Sequence, residues 1–400
     1  MIAAIIFAIK SIFIENFFIY IFNFDLIYHL NSGLADQFLL YKEFIPSLFG
    51  VFLVGSIYFF LKNKIFISCL LISLSAYLHF NYLFIGAYLT ISYMIIIYFR
   101  DGLKKAFLLG FFTLLSIIPL LIYVYLNFVI SDSALFERTQ HFMAYERLPH
   151  HADISRWMLD KITIAKVLLI LIGIAFLFIK KQKKLLIILS TVFIISLVLT
   201  LIQIISSSLS LALMFPWRST VILVPLILII LISHLTRHLI ENYLGSFMSK
   251  KILTYLSIVS ITFFLLTNFY FEYRENINKK NKDFYNVVLF IKANSNKNDL
   301  YAIEIRDPLS GKFRLSTGAK LFVDFTAVPY DSIAISSWLQ RYDINNKIFS
   351  NLGAICDGRY KFNFGEITHL IVKNSKFNKE CNKFEEIYKD NEYSIIITNQ

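Results

Sequence analysis

Charge is scarce in this sequence. Only 16% of its 400 residues are charged against 57% hydrophobic, and the apolar runs up to Phe271 are too long and unbroken for an ordinary soluble domain. A polytopic membrane protein remains. Three cysteines are too few for a disulfide scaffold, and their spacing matches no zinc site. Cys69 falls in an apolar run and reads as a small buried residue. Cys356 and Cys381 fall in the polar C-terminal part and are a candidate disulfide pair if that part is in an oxidising compartment. The net charge of +12 comes without a basic stripe interleaved with aromatics, which excludes nucleic acid as a partner. No basic segment precedes an apolar stretch at Met1-Ile2-Ala3-Ala4 and no small-residue cleavage site follows, so no removable signal peptide is expected. No Walker or dinucleotide fingerprint and no solenoid period is present.

What is there is a succession of apolar segments, each near the ~20 residues that cross a bilayer. Spanning helices are expected near Ile2 to Phe22, Phe44 to Leu61, Ile65 to Leu78, Tyr82 to Phe99, Ala106 to Phe128, Ile162 to Ile179, Leu185 to Ile205, Arg218 to His234 and Ile252 to Phe271, about nine in all. Lys10 and Glu15 interrupt the first, for which an interfacial helix is the alternative. Basic residues mark every second junction: Lys62 and Lys64; Arg100, Lys104 and Lys105; Lys180, Lys181, Lys183 and Lys184; Arg237, Lys250 and Lys251. The positive-inside rule makes these junctions cytoplasmic and the others outward. His79-Phe80-Asn81-Tyr82 becomes a short outer turn, and the Ser-rich stretch Ser206 to Met214 a re-entrant or interfacial piece.

Past Glu272 the composition turns polar, and helix and strand patterns alternate. Asp283 to Ala293 reads as a helix, Leu300 to Ile305 and Leu321 to Phe325 as strands, and Asp331 to Tyr342 as a helix capped by Asp331. Thr368 to Lys373 reads as a buried strand, and Phe384 to Tyr388 with Tyr393 to Thr398 as a hairpin turning at Asp390-Asn391. The expected fold class is a membrane all-α bundle (1–273) with a long outer loop (131–161), followed by a small extracytoplasmic α/β domain (274–400) with a partly parallel sheet.

Three constellations could carry chemistry, and all fall on outward junctions. The loop Ser131 to Lys161 holds Arg147-Leu148-Pro149-His150-His151. Adjacent histidines project in different directions, so one metal held by the pair requires the Pro149 turn to bend them together. General acid/base work or phosphate contact is the other reading, and interfacial histidines that merely steady the loop the plain one. Phe215-Pro216-Trp217-Arg218-Ser219-Thr220 places an arginine at a helix start, a cradle for a lipid phosphate; equally, Trp and Arg anchor helices at interfaces. Asp25, Asp36 and Glu43 of the first outer loop supply carboxylates that could serve as a base for an acceptor hydroxyl, although exposed loop acids are ordinarily just solvated. Glu15, if truly within a span, is a functional candidate because an unpaired charge there is expensive. In the C-terminal part, Gly311 to Gly318 with Trp338 to Arg341 reads as structural turns and an anchored helix.

Taken in order, Arg147 to His151, Phe215 to Arg218, Phe313-Arg314 with Thr317-Gly318, Val323-Asp324-Phe325, Pro329, and Trp338 with Arg341 resemble a bacterial family of uncharacterised polytopic membrane proteins with GT-C glycosyltransferase-like architecture. The resemblance covers the chain from about Phe44 onward. It implies a polyprenyl-phosphate sugar donor, an outward-facing site and a catalytic Asp or Glu in the first outer loop. The chain departs from that pattern by beginning where such proteins would already have passed their first loop, so that Asp25 and Asp36 need not correspond to the catalytic acid: the N-terminus is shortened, the carboxylate is supplied otherwise, or no transfer occurs. The function expected is transfer of a sugar from a polyprenyl-phosphate donor to a cell-surface glycan or lipid outside the bacterial cytoplasmic membrane. Asp36, Asp25, His150 and His151 are the catalytic candidates; Arg147, Arg218 and His79 are the candidates for binding the lipid phosphate. A divalent metal is an open option, and the expected partners are the lipid-linked donor and membrane lipids. A transporter or flippase of lipid-linked saccharide and a non-catalytic assembly protein are the alternatives.

Overall fold

The computed structural model describes residues 32–35, 37–39, 46–239, 242, 255, 258, 259, 262, 266, 284–329, 331–375 and 384–398. The chain forms two compact units, Met1–Leu126 with Glu137–Phe271, and Asn127–Phe136 with Glu272–Gln400.

In chain order the helices are α1 (Val51–Leu61), α2 (Ile65–Leu78), α3 (Tyr82–Asp101), α4 (Leu103–Phe128), α5 (Ser133–His141), α6 (Pro149–Ala152), α7 (Lys161–Ile179), α8 (Lys183–Ser206), α9 (Leu209–Leu213) and α10 (Thr220–Leu239). Among the described residues, 5 stretches are long and apolar enough to cross a membrane: α3, α4, α7, α8 and the run Leu209–His238, which joins α9 to α10 through a 3₁₀ turn at Pro216–Ser219. The expected spans Phe44 to Leu61 and Ile65 to Leu78 are shorter. At 14 residues α2 rises ~21 Å, less than the ~30 Å hydrocarbon core. Of the other expected spans, Ile2 to Phe22 lies outside the described residues, as does most of Ile252 to Phe271.

α1 and α2 pack against α3, α3 against α8, and α7 against α10. Leu53, Phe60, Ile72, Tyr93, Ile170, Ile188, Val192 and Val224 belong to one buried cluster between them. Small and hydroxyl residues let the backbones approach, as helix packing in an apolar solvent favours. The Ser56 hydroxyl bonds those of Ser68 (2.9 Å) and Tyr93 (3.1 Å), and a Cβ on Gly173 would stand 2.3 Å from Ile227. Asn63, in the α1–α2 turn, accepts from Arg100 at the end of α3 and from Lys184 at the start of α8. Basic junctions thus gather at one end of the bundle.

The loop 131–161 is largely helical: α5, a π turn at Phe142–Arg147, α6 and a 3₁₀ turn at Ile154–Arg156. Asp132 caps α5 and Asp153 caps the 3₁₀ turn through its bond from Ser155 N.

The second unit carries a five-stranded sheet, in the order β2-β1-β3-β5-β4, from β1 (Leu300–Ile303), β2 (Lys320–Leu321), β3 (His369–Lys373), β4 (Glu385–Lys389) and β5 (Tyr393–Ile397). β2, β1 and β3 are parallel; β5 and β4 are antiparallel additions. The interior residues of β1 and β3 are buried, as parallel strands under helices require. Helices α11 (Tyr285–Asn294), α12 (Phe313–Thr317), α13 (Ser332–Ser350) and α14 (Leu352–Cys356) complete it. The expected strand Leu321 to Phe325 shrinks to β2, because Asp324 turns the chain: its carboxylate accepts from Thr326 N and from Arg314, and its carbonyl from Trp338 Nε1. The helix expected to end at Tyr342 runs on to Ser350, keeping Ile335, Trp338 and Ile348 buried. Gly318, at φ +76°, ends α12, a turn of the kind expected there. Cys356 is disulfide-bonded and Cys69 is free; Cys381 lies outside the described residues.

Candidate functional site

At the end of the bundle away from Asn63, three sequence segments converge. The first is 32–39. Gly33 N donates to Gln37 O (2.8 Å), and Ala35 sits at φ +53°. The segment lies flat on the start of α10: Leu34 N donates to Thr220 Oγ1 at 2.8 Å, and a Cβ on Gly33 would come within 2.5 Å of Val221 N. Glycine is required there because backbone meets backbone. From α7, Lys166 Nζ reaches Ser32 Oγ (2.6 Å) and Gly33 O (2.8 Å). Lys166 is 7% exposed, a buried cation inside an apolar helix.

The second segment is the turn before α10. Phe215 adopts φ +48°, Pro216 opens the 3₁₀ turn, and Ser219 Oγ bonds Ser196 Oγ of α8 at 2.6 Å. This aims Arg218 back at the α2–α3 turn. Arg218 Nη2 donates to His79 Nε2 at 3.0 Å, and the guanidinium lies 5.6 Å from the centre of the buried Tyr82 ring. Among the described residues Arg218 Nε is buried without a hydrogen-bond partner, and no carboxylate pairs with Arg218.

The third is the loop around α6. Pro149 starts that single turn, and His151 Nδ1 donates to Ala35 O at 2.7 Å, which leaves Nε2 as the unprotonated nitrogen. The rings of His150 and His151 are 4.0 Å apart and tilted by 53°, and His151 meets Phe215 edge-on at 5.9 Å. Trp157 and Trp217 pack at 4.6 Å among Leu34, Ala35 and Ile154. Burial pushes His151 down to about 3, and the charges of Arg218 and Arg147 act in the same direction. Burial, then the Arg218 charge, pushes His79 down to about 4. Both imidazoles therefore favour the neutral form, beside the charged Arg218.

His79 and Arg218 are thus in direct contact, His150 stands beside His151, and Arg147 is near enough to act on His151. The three segments that carry them, around residues 79, 147–151 and 218, are far apart in sequence. Asp25 and Asp36 lie outside the described residues, as do Glu15 and Glu43; Ala35 and Gln37, the neighbours of Asp36, are described and buried. Among the described residues no group of three His, Cys, Asp or Glu side chains could hold a metal ion. Lys166, Tyr82 and Gln203 are site residues that the sequence reading passed over. A lone lysine and a lone glutamine inside apolar spans were the available signal, since such groups are costly in a membrane without a role.

A search of protein families, characterised proteins and solved structures finds no match to this chain.

Proposed function

We propose that this chain is a GT-C-like glycosyltransferase of the bacterial cytoplasmic membrane, transferring a sugar from a polyprenyl-phosphate donor to an extracytoplasmic glycan or lipid. The observation that carries the reading is Arg218: a largely buried guanidinium, bonded to a neutral histidine, with no described carboxylate to neutralise it. A buried cation of this kind favours an anionic ligand, and a phosphate matches the donor fork of arginine. Arg147 adds charge nearby.

In the proposed reaction a carboxylate, Asp36 or Asp25, takes the proton of the acceptor hydroxyl. That oxygen bonds the anomeric carbon as the bond from that carbon to the phosphate oxygen breaks, and the charge left on the polyprenyl phosphate falls to Arg218 and Arg147. His79 holds Arg218 in place, while His150 and His151 border the phosphate or acceptor. The alternating basic junctions support an outward site, and the Cys356 disulfide supports an oxidising compartment for the second unit. The test is purified protein with radiolabelled polyprenyl-phosphate sugars: binding and transfer are expected, and the absence of both would sink the reading.

A transporter or flippase of lipid-linked saccharide has one observation in its favour. Lys166 is buried within an apolar helix, and Pro119 and Pro225 interrupt two others, features of helices that line a path. Movement of a fluorescent lipid-linked sugar across proteoliposomes without hydrolysis would select it.

A further inference from the structure

Beside the arginine site, within the first unit, is a cleft of about 290 Å³, near the lower bound of the ~300–1,000 Å³ of small-molecule sites. It lies between the end of α8, the start of α9 and the loop around α6. Its walls have two characters. Alanine, isoleucine and leucine side chains give apolar patches, while Asp153, Ser155, Gln203, Ser207, Ser208 and Tyr145 supply the polar ones.

Gln203 decides what this cleft is for. It is 7% exposed, its Nε2 makes a long 3.5 Å bond to Ala152 O, and its Oε1 has no partner among the described residues. A buried amide oxygen left unpaired is unfavourable, a penalty that a donor entering the cleft removes. The orientation of the amide is fixed by the Ala152 carbonyl, which accepts and cannot donate. Asp153 offers a second acceptor: Ser155 N and Oγ hold its Oδ1, and Arg156 meets Oδ2 at 3.2 Å, which leaves further lone pairs open. Among the described residues no lysine or arginine lines the cleft, so an anion finds none there to neutralise it. Acceptors set among small apolar patches suit an uncharged molecule with hydroxyls on its edges and C–H groups on its faces.

We propose that this cleft binds a neutral, hydroxyl-rich ring, a hexose unit, with a ring hydroxyl donating to Gln203 Oε1 and another to Asp153. Ala152 lines the cleft and follows His151 directly, so the ring sits next to the proposed phosphate site. The inference deepens the transferase reading by giving the saccharide its own subsite, and rests on that reading only for the identity of the chemistry next door. The ring is either a free saccharide or the sugar of a lipid-linked one.

The test uses the full chain in nanodiscs and saturation-transfer NMR, with glucose, galactose and N-acetylglucosamine as one arm, a polyprenyl-phosphate hexose as another, and choline as the control. Saturation is expected on the sugar protons and none on choline. Gln203→Leu, which keeps the volume and removes the acceptor, is expected to cut it at least fivefold, whereas Gln203→Glu retains it; unchanged thermal midpoints certify both variants. Signal with free hexoses assigns a soluble source, and signal with the lipid-linked probe alone assigns the carrier's sugar. No sugar signal, an equal signal in Gln203→Leu, or preferential binding of choline overturns the proposal. Binding of hexose by a protein that ignores polyprenyl phosphate would retain the cleft and remove the transferase reading; the reverse would do the opposite.

Discussion

In the proposed transferase the charge that meets the phosphate is concentrated at Arg218. Its contacts with His79 and Tyr82 orient the guanidinium without cancelling its charge. Arg218→Gln keeps a donor but loses the charge, and hydrogen bonds to charged groups are worth ~1.5–3 kcal/mol, so polyprenyl-phosphate binding should weaken by about 10- to 150-fold in equilibrium titration. Arg218→Lys should recover little, because a point charge lacks the planar fork. Retention of wild-type affinity by Arg218→Gln would remove Arg218 from the phosphate site. The histidines set the acid limit. An unfolded histidine titrates near ~6.5, whereas folded His151 and His79 are pushed down to about 3 and about 4. Between those values the unfolded chain binds more protons, so their contribution to stability is complete above pH ~6.5 and falls as pH drops toward their folded values. Thermal midpoints measured from pH 8 to pH 5 should decline in the wild type and decline less in a His79→Gln, His151→Asn double variant. Parallel curves would show that these two imidazoles do not set the slope.

At the scale of elements, the long helices were legible because length and hydropathy alone define a stretch able to cross a bilayer. The short pieces were not. α6 has 4 residues and the π turn 6; segments this short do not hold themselves and are shaped by what they pack on, here Ala212 and Phe215. The contact of His79 with Arg218 was legible only as a shared end of the bundle, since 139 residues separate them. The bed on which the site rests was invisible for the same reason. The close approach of Gly33 to Val221, where a Cβ would come within 2.5 Å of Val221 N, is a meeting of two segments that no local pattern announces. Gly33→Val should force the 32–39 segment off α10, break the Leu34 to Thr220 bond and disturb Ala35 beneath His151. Overpacking of this kind costs ~1–3 kcal/mol, and a lowered thermal midpoint together with weaker phosphate binding is expected. A midpoint equal to that of the wild type would show that the segment is not seated there.

At the scale of the molecule, the alternation of basic and non-basic junctions acquires a geometric counterpart. Asn63, Arg100 and Lys184 meet at one end of the bundle, and His79, His151 and Arg218 at the other. A lipid-phosphate donor presented on the outer leaflet can reach the second set only if the basic end is cytoplasmic, so orientation is the assumption on which the whole functional reading depends. Cysteine labelling with a membrane-impermeant maleimide tests it in intact cells. Cys69 is replaced by serine, and Cys356 is disulfide-bonded and stays unreactive without a reductant. Lys104 and Lys297 are exposed positions, one in the basic junction after α3 and one in the second unit. Lys297→Cys should label in intact cells, as should the exposed Leu159→Cys of the loop before α7. Lys104→Cys should label only after permeabilisation. The inverse pattern would turn the bundle over, place Arg218 on the cytoplasmic face and defeat an extracytoplasmic transfer, whatever the affinity of the site for phosphate.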